Sequence, residues 1–217
     1  MTDVAAHSPA PPRTRIVGPV SFAAAGVLFL LYPALRPWTD ASPDTAASAF
    51  TAPAWIVAHL MGVAGFALVA AGLFELRDAL AATSGGRPVQ LALGAWWAGV
   101  ALVLPYYGAE IFALHAIGTR VEQTGDTTLL DLVEAVRMGP AQAVLFAAGL
   151  LLLAVAGVLT AVAVARSRTL PRWSGAPFAA GFALYLPQFF ATPELRIAHG
   201  ALVAVGCLVL AAHPRRV

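Results

Sequence analysis

Tyr106-Tyr107-Gly108-Ala109-Glu110-Ile111-Phe112-Ala113-Leu114-His115 closes an apolar segment that begins near Val89. A carboxylate inside a hydrophobic run of bilayer length costs about 2.5–3.5 kcal/mol on insertion scales, so an acid kept there points to a functional site. Glu110 is the deepest acid in the sequence by this reading, and the rest of the chain is read around it.

The surroundings explain why such a run exists. The 217 residues are 59% hydrophobic and only 11% charged, with a mean hydropathy of +0.78. Soluble domains carry about 25% charged residues, so this chain cannot cover its surface with charge, and lipid is the matching solvent. The formal charge is +2 and every basic residue is arginine. These arginines sit between hydrophobic runs, which fits a membrane surface and not nucleic acid. The single cysteine, Cys207, rules out an internal disulfide.

A transmembrane helix needs about 20 apolar residues. Six runs meet that: about 16–35, 53–80, 89–117, 140–165, 173–190 and 193–212. The fold class expected is therefore all-α, a six-helix integral membrane bundle forming one domain over 16–213. A cleavable signal peptide is the competing reading of the first run, but it is long for one and no clear small-x-small site follows it. Residues 1–15, with Pro9, Pro11 and Pro12, read as a disordered polar tail, and 36–52 as a polar connector. Pro105 predicts a kink in the third span. The stretch 127–137 has helical spacing and reads as a short interfacial helix, capped by Asp126 or Thr127. Thr192-Pro193-Glu194 is a helix start.

With six spans, nine arginines (13, 15, 77, 87, 166, 168, 172, 215 and 216) fall on the side of the termini and four (36, 120, 137 and 196) on the other. The positive-inside rule then places both termini in the cytoplasm of a bacterial inner-membrane type cell membrane.

At about 1.5 Å rise per residue, the intramembrane polar groups cluster within the outer ~12 Å. His59, His115 and His199 come from three spans and form a candidate metal shell, for a divalent first-row metal. Glu110 is the candidate catalytic acid or base. Tyr106, Tyr107, Gln188, Arg196 and Glu194 are candidate substrate contacts. Glu110 and His115 are five residues apart, about 140° around an ideal helix, so they share a small shell only if the helix is bulged.

The plainer readings stand beside these. Glu194 suits a helix N-terminus, Arg36, Arg120 and Arg196 suit snorkelling, and Trp55, Trp96, Trp97 and Trp173 suit interface anchors. Glycines such as Gly62 and Gly65 suit close helix packing. Three functions fit the polar layer. One is a membrane enzyme using acid–base or metal-assisted chemistry on a lipid-like or isoprenoid-like small molecule. The second is a b-type haem electron carrier with two axial histidines. The third is a proton-coupled transporter or an accessory subunit. The bilayer itself is the one certain partner implied.

Overall fold

A computed structural model describes residues 14–212 and 215–216 of the chain. The tail expected over 1–15 lies outside the described residues, except for Thr14 and Arg15. These two pair antiparallel with Arg215 and Arg216, the one strand pairing among the described residues. Everything else regular is helical.

The helices are α1 (Val17–Leu35), α2 (Pro43–Thr51), α3 (Pro53–Leu80), α4 (Gly86–Gly108), α5 (Leu114–Thr124), α6 (Asp131–Met138), α7 (Pro140–Ser167), α8 (Ala176–Ala183) and α9 (Pro193–Ala211). Four of them, α2, α3, α7 and α9, open on proline. Its missing N–H costs nothing at the first helical position, and its fixed φ suits the turn. Thr192 stands at the N-cap of α9, but its hydroxyl caps no backbone N–H. Asp126 does cap: its Oδ1 accepts from Thr128 N at 3.1 Å, opening a 3-10 turn over Thr127–Leu130.

Five helices are long and apolar enough to cross a membrane: Val17–Leu35, Pro53–Leu80, Gly86–Thr124, Pro140–Ser167 and Pro193–Ala211. Many large apolar side chains point outward from them, among them Val20, Phe74, Leu91, Val144 and Leu151. So broad an apolar exterior is consistent with a multi-pass membrane protein.

The expected fifth span, 173–190, is not one helix. It consists of a 3-10 turn (Arg172–Gly175), the eight-residue α8 and a second 3-10 turn (Pro187–Phe190). Pro177 stands at the second position of α8, and Pro187 lacks the N–H that would continue the helix. The polar connector read over 36–52 is itself partly helical. It folds into a 3-10 turn (Thr39–Ala41) and α2, which packs Ala46 and Phe50 against Trp55 and Leu114.

The core is aromatic. Phe22, Phe29, Phe66, Trp96, Phe178 and Phe182 are all essentially buried, with edge-on contacts such as Phe29–Phe66 at 5.1 Å and Trp96–Phe182 at 4.8 Å. Trp55 and Trp96 are not interface anchors. Both are fully buried, and each indole donates to a backbone carbonyl. α4 packs tightly on α7, where a Cβ at Gly99 would stand 2.9 Å from Gly149 O. At the end of the bundle holding the termini, Glu75 accepts from Gly18 N at 2.6 Å and satisfies an orphan donor of α1.

Candidate functional site

Glu110 owes its position to a change of helix type. After Pro105 the chain runs on as α4 to Gly108, then turns π-helical over Ala109–Ala113. In an α-helix Leu114 N would donate to Glu110 O. Here it donates to Ala109 O instead, so the carbonyl of Glu110 is released. The buried indole of Trp55 takes it, Nε1 to O at 2.7 Å. Single π turns of this kind recur at functional sites, and this one turns a carboxylate into the bundle.

The Glu110 side chain meets Arg137 of α6. Arg137 Nε donates to Oε1 at 2.7 Å and Nη2 to Oε2 at 3.0 Å, a two-pronged charge-assisted pair. The same Nη2 donates to Asp40 Oδ2 at 2.9 Å, and Arg36 Nη2 donates to that oxygen at 2.9 Å. Arg36, Asp40, Arg137 and Glu110 thus form an alternating ladder of charge. Burial works against the charge on Arg137, but its bonds to Glu110 and Asp40 hold its pKa above the usual arginine value. Cation–π contacts back the ladder: Arg36 lies 4.7 Å from the Trp55 ring and Arg137 5.5 Å from Phe50.

His59 lies beside Glu110, its Nε2 3.9 Å from Oε2. That is too far for a hydrogen bond. Its Nδ1 is 2.7 Å from Trp55 O. A carbonyl only accepts, so Nδ1 carries a proton, and in the neutral ring the lone pair belongs to Nε2. The rings of Trp55 and Tyr32 stand 4.5 and 5.3 Å away.

Tyr32, Arg36, Asp40, His59, Glu110 and Arg137 line a cavity of about 600 Å³ at the end of the bundle away from the termini. Tyr106, Tyr107, Phe146, Phe189 and Arg196 share its wall with His59, Glu110 and the ladder. Of the residues singled out from sequence, Glu110, His59, Tyr106, Tyr107 and Arg196 therefore meet in one space. Gln188 and His199 do not; they border a separate void of about 20 Å³. Glu194 is exposed on the first turn of α9 and does not line the cavity.

The metal shell of His59, His115 and His199 is not formed. Each imidazole bonds a different backbone carbonyl: Trp55 O, Phe50 O at 2.9 Å and Gly181 O at 2.7 Å. His115 ties α5 to α2, and His199 ties α9 to α8. No group of three or more His, Cys, Asp and Glu that could hold a metal occurs among the described residues. The haem reading calls for two imidazoles facing one space, and of the three only His59 lines the large cavity.

Sequence reasoning missed Arg137, Asp40, Arg36 and Tyr32 as site residues. Arg36 and Asp40 are spaced four apart, a visible hint of pairing. The bond from Arg137 to Asp40 joins residues 97 positions apart, which no local pattern shows.

No protein family, no curated protein and no solved structure matches this chain.

Proposed function

We propose that this chain crosses the bilayer six times, with both termini in the cytoplasm of a bacterial-type cell membrane. Its job is to take an amphiphilic, lipid-like molecule into the cavity, where His59 Nε2 acts as a base. The sixth crossing is the broken segment through α8, which packs between α7 and α9. The pairing of Thr14–Arg15 with Arg215–Arg216 supports an even number of crossings, because it brings both ends together. The nine-to-four split of arginines supports the orientation. The cavity then faces the outer leaflet.

The observation that carries the reading is the cavity itself. Concave, mostly apolar pockets of about 300–1,000 Å³ with a few convergent polar groups are the usual form of small-molecule sites. Two lining residues, Met138 and Phe190, are 60% and 87% exposed. They give the cavity an apolar rim that a lipid tail can cross from the bilayer.

Within this reading the base is His59, the role first given to Glu110. Both oxygens of Glu110 are engaged by Arg137, which makes it a positioning group. Nε2 can take the proton of a hydroxyl on the bound molecule as that oxygen forms its new bond, and return it to the group that leaves; the imidazolium in between faces Glu110 Oε2.

The test compares lipid extracts from cells carrying the wild type and His59→Gln by mass spectrometry. A lipid-like species that accumulates only with the variant is the result expected. Identical profiles, with the variant folded and present at equal level, would remove His59 as a base.

A further inference from the structure

Resting on the reading of the cavity as an amphiphile site, we infer that its ligand carries an anionic phosphate-type head, held between Arg36 and Arg196 beside Trp38. Both guanidiniums lie against one indole, at 4.4 and 5.2 Å from the ring centroid. That indole is fixed in place, its Nε1 donating to Pro33 O at 3.0 Å at the end of α1. The three side chains form a cationic stretch of the cavity wall, with Tyr106, Phe146 and Phe189 elsewhere in the lining.

The charge of this stretch is not closed by the protein. Asp40 Oδ2 is shared by two arginines and Glu110 is gripped by Arg137. Arg196 has no carboxylate within ion-pair distance among the described residues. Its bonds go to the carbonyls of Ala191, at 3.2 Å, and Phe189. Glu134, the other carboxylate of the lining, is exposed on α6. Arg196 also lies in the first turn of α9, where the helix dipole is already positive. Glu194 offsets the dipole from the same turn, but two guanidiniums against one indole still favour an anion.

A guanidinium has five N–H donors in a planar fork. Arg36 gives one bond to Asp40 and Arg196 two to carbonyls, so donors remain on both to meet phosphate oxygens. The tail of such a ligand would lie along Tyr106, Phe146 and Phe189.

The experiment titrates three probes into the full chain in phosphatidylcholine nanodiscs, read by intrinsic tryptophan fluorescence. They are dodecyl phosphate, 1-dodecanol and inorganic phosphate. Dodecyl phosphate should bind at least about tenfold more tightly than either other probe. Arg196→Gln should cost it about tenfold and leave dodecanol unchanged. Equal binding of dodecyl phosphate and dodecanol would overturn the head-group inference while leaving the cavity reading intact. Inorganic phosphate binding as tightly as dodecyl phosphate would reduce the site to a plain anion site and overturn the amphiphile. Binding of none of the three would overturn both readings. The wild-type comparison decides the matter even if Arg196→Gln does not fold.

Discussion

Arg137 holds Glu110 by both carboxylate oxygens, at 2.7 and 3.0 Å, from a helix 27 residues further along the chain. Glu110 is nearly buried and the Arg137 side chain one-fifth exposed. Removing one partner leaves the other charge in a dry setting, which typically costs 3–5 kcal/mol for fully buried pairs.

Arg137→Ala should therefore destabilise the fold by roughly 3 kcal/mol, discounted for its partial exposure. Arg77→Ala is the comparison. Arg77 pairs with Asp78 at 2.7 Å, but both side chains are about one-third exposed, so the loss there should stay below about 1 kcal/mol. Thermal unfolding in a mild detergent measures both. Equal shifts would mean that the ladder contributes no more than a surface pair.

Trp55→Phe keeps most of the buried ring and removes the indole N–H that bonds Glu110 O. An unsatisfied buried carbonyl costs about 1–3 kcal/mol, and the π turn should relax toward α-helix as Leu114 N recaptures that oxygen. The observable is a lowered unfolding midpoint together with loss of the Arg137→Ala effect in the double variant, because Glu110 would no longer point at Arg137. Additive effects would contradict this coupling.

The close approach of α4 and α7 gives a third outcome. A Cβ at Gly149 would stand 2.7 Å from Val103 Cγ2 and 2.9 Å from Gly99 O, and backbone cannot yield. Gly149→Leu should cost at least the ~1–3 kcal/mol of ordinary overpacking. Gly94, on the outer face of the same α4, has nothing within 4 Å. Gly94→Ala should be neutral or stabilising by up to about 1 kcal/mol. Folded yield by size-exclusion chromatography separates the two.

Some of this was readable from residues alone. Long apolar runs flanked by arginines specify membrane-length helices, since hydropathy over about 20 residues averages out local detail. The interruption at 184–190 was less legible, because Pro177 and Pro187 stand in a run as apolar as its neighbours. Glu110 stood out through the cost of burying it. Its π turn did not, since a helix of one type carries the same side chains as the other. The three histidines were misleading as a group. Similar depth along helices says nothing about azimuth, and each ring bonds a different backbone carbonyl. The ladder through Asp40 and Arg137 depends on the 3-10 turn Thr39–Ala41 and on α6 folding over the bundle end, where short elements leave only weak periodic signals.

Orientation can be read with cysteine labels, because the native Cys207 is fully buried. Gln123→Cys and Ala82→Cys both place an exposed thiol, at opposite ends of α4–α5. In intact cells a membrane-impermeant maleimide should label Gln123→Cys and spare Ala82→Cys until the cells are broken. The reverse pattern would turn the cavity to the cytoplasm.

The most direct measurement is native mass spectrometry of the protein released from its own membrane, wild type beside Ala147→Trp. Ala147 lines the cavity, and an indole there fills the space a ligand would use. The wild type should retain one amphiphile of defined mass, and the variant, equally folded, should have lost it. The same adduct at the same occupancy on both proteins would contradict the assignment of this cavity as a lipid-like molecule's site.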